Sequence, residues 1–113
     1  MAAAKRLWSF VFRHRKEGAM FTVISYDVVV DKQRTKVLKY LKGYGTHVQY
    51  SVFECDLTAR QLAAVKRELA MLIDRNTDSV RVYQLDADVV KRVEVIGIGR
   101  VSVDPLYYLV GGG

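Results

Sequence analysis

The chain has 113 residues and carries 18 lysines and arginines against 12 acidic residues, which gives a net charge of +6 and a pI near 9.6. Half of its residues are hydrophobic, so the composition excludes a disordered protein and fits one compact domain. The positive charge favours polyanionic partners, nucleic acid first and an anionic membrane second, although it also serves solubility alone.

Cysteine usage points to a reducing compartment. Cys55 is the single cysteine, so an internal disulfide is excluded, and no cysteine–histidine zinc pattern is present. No apolar run approaches the length of a membrane span. We therefore expect a cytoplasmic protein with no membrane partner.

Residues 1–19 differ from the rest of the chain, because basic and aromatic side chains alternate there before the regular pattern starts at Met20. Such a stretch fits an interfacial helix or targeting segment, a basic arm that binds nucleic acid, or an upstream extension of the reading frame. We favour the upstream extension and treat these residues as a basic N-terminal extension.

The first predicted element of the domain is a buried strand over Met20–Val30, which is rich in β-branched and aromatic residues. Asp31 is placed to cap a helix that runs to about Tyr44. Gly43 and Gly45 are expected to end this helix.

A second strand–helix unit follows. Thr46–Asp56 is a β-rich run that forms either one long strand or a hairpin. Thr58 and Gln61 have the spacing of a capping box, which opens a second helix that ends near Arg75. Ser79–Leu85 then alternates between apolar and polar residues, as a strand does.

The end of the domain is predicted from weaker patterns. Ala87–Val93 fits a short helical turn, and Val93–Ile98 fits a last strand that Gly97 and Gly99 interrupt. The whole order predicts an α+β fold in which two helices cover one face of an antiparallel sheet. A ferredoxin-like βαββαβ sandwich fits this order best.

Asp27 is the sharpest candidate for chemistry, because it lies inside an almost wholly apolar strand. A buried carboxylate is costly unless it is paired, exposed at an edge or bound to a metal. Magnesium prefers carboxylate oxygens, and two acids brought together across a dimer axis form a better site than one acid per chain. The structural alternative is that Asp27 hydrogen-bonds backbone groups at the strand end or caps the following loop.

Basic residues on the first predicted helix are candidates for phosphate contacts. Arg34, Lys36 and Lys39 are suited to sequence-independent binding of nucleic acid, and the alternative is an ordinary solvated helix face. His47 is a weaker candidate for proton transfer, since a lone histidine at a strand start is more often a surface residue.

Several motifs resemble, in order and at matching spacing, those of the CRISPR-associated Cas2 family. Tyr26–Val28 and Asp31–Lys36 are similar to its opening motif. Leu41–Gly45 and Val48–Glu54 are similar to its central block, and Asp78–Tyr83 is similar to a later strand. The resemblance extends from residue 20 to residue 98.

The resemblance implies a ferredoxin-like homodimer in which Val93–Val103 crosses to the sheet of the neighbouring subunit. It therefore implies a domain over residues 20–103 and a tail over residues 104–113. It also implies a magnesium-dependent nuclease of RNA or double-stranded DNA, with Asp27 as the metal ligand and catalytic residue. The family forms the central dimer between two Cas1 integrase dimers in spacer acquisition.

Two alternatives to the nuclease remain. One is a structural, DNA-bridging adaptor of the Cas1–Cas2 integration complex in which Asp27 is not catalytic, and the other is a toxin-like ribonuclease of related fold. The chain departs from the family pattern at Val30, where many members have an acid, and at Gln33, where many have an arginine. The first departure weakens a two-acid metal site within one chain and leaves the pair of Asp27 residues across a dimer intact.

Overall fold

The computed structural model describes residues 17–99, and the predictions for residues 1–16 and 100–113 lie outside this part of the chain. It contains four strands and three helices. The strands are β1 (Met20–Asp27), β2 (Gly45–Gln49), β3 (Val52–Leu57) and β4 (Ser79–Leu85), and the helices are α1 (Asp31–Lys42), α2 (Ala59–Leu72) and α3 (Ala87–Lys91).

The strands form one antiparallel sheet in the order β2-β3-β1-β4, so β1 lies between β3 and β4. A central first strand between the third and fourth strands is the arrangement of a ferredoxin-like sandwich. The predicted α+β fold is therefore confirmed. No helix within residues 17–99 is long and apolar enough to cross a membrane.

The two faces of the sheet differ. The helix face packs against α1 and α2, and its side chains form the main core together with Val37 and Leu41 of α1 and Leu62, Val65 and Leu69 of α2. We define the helix face by Ile24, Tyr26, Phe53, Cys55 and Leu57. We define the open face by the alternate residues Phe21, Val23, Ser25 and Asp27 of β1 and Ser79, Arg81, Tyr83 and Leu85 of β4.

The open face is covered at one end. Phe21 and Val90 are buried there, and the partly buried Val23, Leu85 and Val93 pack against them. The short helix α3 therefore covers the start of β1 and leaves the end of β1 uncovered.

Local signals explain most of the element boundaries. Thr58 and Gln61 form the predicted capping box, because Thr58 Oγ1 accepts from the Gln61 N–H at 3.2 Å and Gln61 Oε1 accepts from the Thr58 N–H at 3.0 Å. The Thr46–Asp56 run is a hairpin with a turn at Tyr50 and Ser51.

Several predicted boundaries were wrong. β1 ends at Asp27 and not at Val30, because the next three residues form the loop into α1. Asp31 does not cap α1: Val30 occupies the N-cap position without a side-chain cap, and Asp31 is the first helical residue. Helix α2 ends at Leu72, short of Arg75.

Gly45 does not end α1, because it opens β2, where it pairs with Cys55. A Cβ on Gly45 would lie 2.5 Å from both the Cys55 Sγ and the Glu54 carbonyl oxygen, so glycine is required for the close approach of β2 to β3.

The predicted last strand over Val93–Ile98 is also wrong for the single chain. Residues 93–99 pair with no strand of the described part of the chain. Ile96 and Ile98 are fully exposed, and Gly97 and Gly99 adopt positive φ. Within residues 17–99 this segment is not part of the sheet, and its formation of a strand across a dimer stays a prediction.

Candidate active site

Asp27 lies at the end of β1 on the uncovered part of the open face, and its side chain is exposed. It is paired in register with Ser79 of β4. Its carboxylate makes no hydrogen bond or ion pair with any residue of the range 17–99. Within residues 17–99 Asp27 therefore neither bonds backbone groups at the strand end nor caps the following loop.

Asp78 instead performs that structural role. Asp78 Oδ1 accepts from the Val29 N–H at 3.0 Å and from the Thr77 hydroxyl at 3.1 Å, and Oδ2 accepts from the Asp74 N–H at 2.9 Å. The bonds from the Val29 and Asp74 N–H groups stabilise the charged form and lower the pKa of Asp78.

Arg34 points back towards the same loop. Its Nη1 donates to the Val28 carbonyl oxygen at 3.0 Å, and its Nη2 forms an ion pair with Asp31. The side chain of Arg34 is 29% exposed, so part of the guanidinium remains accessible to solvent while part holds the loop.

Lys36 and Lys39 lie on a different side of α1 from Arg34. Both are exposed, and neither forms an ion pair with another residue of the described range. With Lys32 they occupy positions i, i+4 and i+7, so the three lysines lie along one ridge of the helix. The structure therefore brings Lys36 and Lys39 together and sets Arg34 apart, beside the loop that follows Asp27.

The other polar candidates have structural partners. His47 stacks on Phe53 with ring centroids 4.8 Å apart, and its Nε2 lies 2.9 Å from the Tyr50 carbonyl oxygen. Gln33, the second departure from the family motif, donates through Nε2 to the Leu72 carbonyl oxygen at 2.9 Å and so joins α1 to the end of α2. Through these contacts both side chains stabilise the fold.

Tyr26, next to Asp27, is buried against Phe53 at a centroid distance of 6.3 Å. Burial raises the pKa of Tyr26, and the nearby Tyr50 hydroxyl acts in the same direction. The residues on either side of Asp27, Tyr26 and Val28, are both buried, so the strand end that presents Asp27 is firmly anchored.

The described residues of one chain do not assemble a complete metal site. No group of three or more histidine, cysteine, aspartate or glutamate side chains converges within residues 17–99. Asp27 supplies hard oxygen donors of the kind that magnesium binds, but one chain offers one such carboxylate at this position. The residues present therefore fit a divalent metal only if a second copy of the chain contributes.

Sequence reasoning located Asp27 and the basic helix but missed Asp78. In the sequence Asp78 stands out only as the first residue of the Asp78–Tyr83 motif. The available signal was the spacing of polar residues that follows α2, where aspartate oxygens are well placed to accept backbone N–H groups.

The chain is a small α+β protein with a ferredoxin-like sheet. Its first strand ends in an exposed carboxylate that is bonded to no other residue of the range 17–99, and its first helix carries a ridge of lysines. These features suit a protein that binds polyanionic ligands. The family model for CRISPR associated protein Cas2 matches residues 20–93, which is more than half of the chain. The chain belongs to the Cas2 family.

Relatives with assigned names agree with this placement. The chain is 50% identical over 91 residues to the CRISPR-associated endoribonuclease Cas2 3 of Chloroflexus aurantiacus, covering 80% of this chain and 98% of the relative. It is 41% identical over 90 residues to the CRISPR-associated endonuclease Cas2 of Halalkalibacterium halodurans, covering 75% and 93% of the two chains.

Solved structures agree as well. The crystal structure of Streptococcus pyogenes Cas2 matches with a TM-score of 0.63 and 37% identity, covering 69% of this chain and 100% of that chain. A chain of a partial Cas6-RT-Cas1–Cas2 complex matches with a TM-score of 0.60 and 29% identity, covering 68% and 84%. The predicted family and fold are therefore confirmed.

Proposed function

We propose that this chain is a metal-dependent endonuclease that cleaves RNA or DNA phosphodiesters in CRISPR adaptation. The observation that carries the proposal is the exposed Asp27 carboxylate, which is bonded to no other residue of the range 17–99. A carboxylate that the fold leaves uncommitted on an anchored strand is available to a cation. The names of the relatives, endoribonuclease and endonuclease, support a nuclease.

The proposed active form is a homodimer. Tyr83 on the open face is 46% exposed and Val23 is only partly buried, so a second copy packed there would remove apolar surface from water. A two-fold axis near the end of β1 would bring two Asp27 carboxylates together. The pair would hold Mg²⁺, which supplies polarisation of the phosphodiester and activation of a water.

The proposed phosphate contacts are Arg34, Lys36 and Lys39. The two lysines suit binding that is independent of sequence, because their ammonium groups are exposed and spaced along one helix ridge. Arg34 lies nearer the Asp27 loop and would contact phosphate with the donors that its bonds to Val28 and Asp31 leave over.

The second candidate function is a structural adaptor that bridges DNA beside the Cas1 integrase. Two observations favour it: the similarity to a chain of a Cas6-RT-Cas1–Cas2 complex, and the lack of a group of three or more metal-ligating side chains within residues 17–99. In that role the basic ridge of α1 would support a DNA duplex and Asp27 would not take part in cleavage. For either role we propose a cytoplasmic location.

One set of variants tests the catalytic role. Wild type, Asp27→Asn and the matched surface variant Asp88→Asn are assayed for cleavage of single-stranded RNA and duplex DNA across a magnesium titration, with chelator as the zero point. We expect Asp27→Asn to lose at least about 100-fold in rate, because a neutral amide is a poor ligand for a hard cation. Asp88→Asn is expected to retain the wild-type rate, since Asp88 is an exposed residue of α3.

The outcomes separate the two functions. Equal cleavage by wild type and Asp27→Asn removes Asp27 from catalysis. Spacer integration that survives in Asp27→Asn, with Cas1 supplied, favours the adaptor. Cleavage that persists in chelator excludes a metal requirement.

A further inference from the structure

We infer that Asp78 is a positioning residue for Asp27: it fixes the peptide group that follows Asp27 and thereby the direction in which the Asp27 carboxylate points. The inference rests on the proposed function for its catalytic consequence. Its structural part is independent, because it concerns only how the end of β1 is held.

The key contacts meet at one peptide group. Asp78 accepts from the Val29 N–H at 3.0 Å, and Arg34 donates to the Val28 carbonyl oxygen at 3.0 Å. The Val28 C=O and the Val29 N–H belong to the same planar unit and point in opposite directions. A carboxylate therefore holds one edge of this peptide and a guanidinium holds the other.

This peptide begins one residue after Asp27. Asp27 is paired with Ser79, the first residue of β4, and Asp78 directly precedes Ser79, so two adjacent residues hold the end of β1 and the loop after it. Val28 is buried at 2% exposure, so its side chain also resists rotation of the loop. The backbone on the C-terminal side of Asp27 is thus fixed by register, by packing and by two bonds that involve charged groups.

The Asp27 carboxylate has no comparable support of its own. Among residues 17–99 no side chain hydrogen-bonds it, so its position is set by the backbone that carries it. A metal ligand or catalytic carboxylate must be held within about 0.5 Å of its productive position. Asp78 supplies that support through its bond to Val29, from which it is 49 residues away in sequence.

Asp78 is itself anchored at a second point. Its other oxygen accepts from the Asp74 N–H at 2.9 Å, just after the end of α2, and Thr77 donates to Oδ1. The carboxylate therefore joins the loop after Asp27 to the turn between α2 and β4. An amide at position 78 has one acceptor oxygen and can satisfy only one of the two backbone donors on opposite sides.

The test compares Asp78→Asn and Asp78→Ala with Asp86→Ala in the full chain. Asp86 is the matched control, because its carboxylate accepts a backbone N–H at 2.9 Å in the same way but caps α3, away from Asp27. Each variant is assayed for kcat, KM and the magnesium concentration at half-maximal rate. Hydrogen exchange at the Val29 amide is measured on the same samples.

We expect Asp78→Ala to lower kcat by about 10- to 100-fold and to raise the magnesium requirement, as the loss of a residue that orients a metal ligand does. KM for nucleic acid is expected to stay within about twofold, since the lysine ridge is untouched. Asp78→Asn should lie between Asp78→Ala and wild type. Exchange at Val29 should accelerate about tenfold in Asp78→Ala, with no change at Val29 in Asp86→Ala.

Two results overturn the inference. One is unchanged exchange at Val29 in both Asp78 variants, whatever happens to catalysis. The other is a wild-type kcat and magnesium requirement in Asp78→Ala while Asp27→Asn is inactive. Retained cleavage by Asp27→Asn counts against the proposed function instead, and the exchange at Val29 then decides whether Asp78 holds the loop. If Asp78→Ala fails to fold, Asp78→Asn decides both measurements.

Discussion

The two faces of the sheet show how this small domain separates stability from function. On the helix face, Ile24 and Phe53 are completely buried within a single chain, as is Val65 of the α2 helix that covers them. On the open face, α3 covers only the end at Phe21, and the other end exposes Asp27. The comparison indicates that one face builds the fold and that the other is free to carry binding groups and a second subunit.

The largest expected change in stability comes from truncating a side chain on the helix side of the sheet, compared with one on the open face. Leu69→Ala on the helix side should lower the free energy of unfolding by about 2–5 kcal/mol, because it opens a cavity in the main core. Tyr83→Ala on the open face should lower it by less than about 1 kcal/mol at low protein concentration, because Tyr83 is 46% exposed in the single chain.

Urea denaturation followed by circular dichroism at several protein concentrations checks this pair. A loss in Tyr83→Ala that grows with concentration would support packing of a second copy on the open face. Equal losses at the lowest concentration would contradict the separation of the two faces.

The next effect concerns the packing of β2 on β3. Gly45→Ala should destabilise the fold by about 1–3 kcal/mol, because its new methyl group would meet the Cys55 sulfur and the Glu54 carbonyl oxygen. Gly43→Ala is the matched control: Gly43 has an α-helical φ of −76°, and its Cβ would lie 3.4 Å from the Tyr40 carbonyl oxygen. Its change should be neutral or stabilising by about 0.4–1 kcal/mol. Thermal melts that rank the two variants in the opposite order would refute the argument.

A smaller loss of stability is expected when the N-caps of α2 and α3, the helices on the two faces, are removed. Thr58→Ala removes half of the capping box of α2 and should cost about 1 kcal/mol. Asp86→Ala removes a single cap bond from the five-residue helix α3, and we expect about 0.5 kcal/mol. Chemical denaturation measures both, and a larger loss in Asp86→Ala would mean that α3 contributes more to the fold than its small cluster with Phe21 indicates.

The sequence was sufficient for the fold where local patterns and the core agree. The Thr58–Gln61 capping box identified α2, and alternation over Ser79–Leu85 identified β4. It misplaced Asp31 and the end of β1, because the bonds that shape this loop come from Asp78, which is distant in sequence. Long-range bonds of this kind leave no periodic signal.

The candidate site was predictable to a similar extent. Asp27 stands out in sequence because an acid is costly in an apolar strand, and the structure places it at an exposed strand end. The separation of Arg34 from Lys36 and Lys39 was not foreseen, because all three lie within two turns and only the packed helix shows which side contacts the loop. The dimer and metal roles depend on a second chain and stay predictions.

The smallest expected signal is the reactivity of Cys55, which lies on the helix face. Burial raises the pKa of the Cys55 thiol to about 11. A pKa raised above the ordinary value near 9 favours the neutral thiol in the folded chain. The contribution of the Cys55 thiol to the free energy of unfolding is therefore complete below pH 9 and is lost as the pH rises towards 11.

Iodoacetamide at pH 8 should therefore modify Cys55 only in proportion to the unfolded fraction across a urea titration. Arg81→Cys in a Cys55→Ala background places a thiol on the open face and should react without urea at low protein concentration, and protection of that thiol as concentration rises would indicate a second copy covering the face. Rapid, urea-independent alkylation of Cys55 would contradict the burial on which the comparison of the two faces depends.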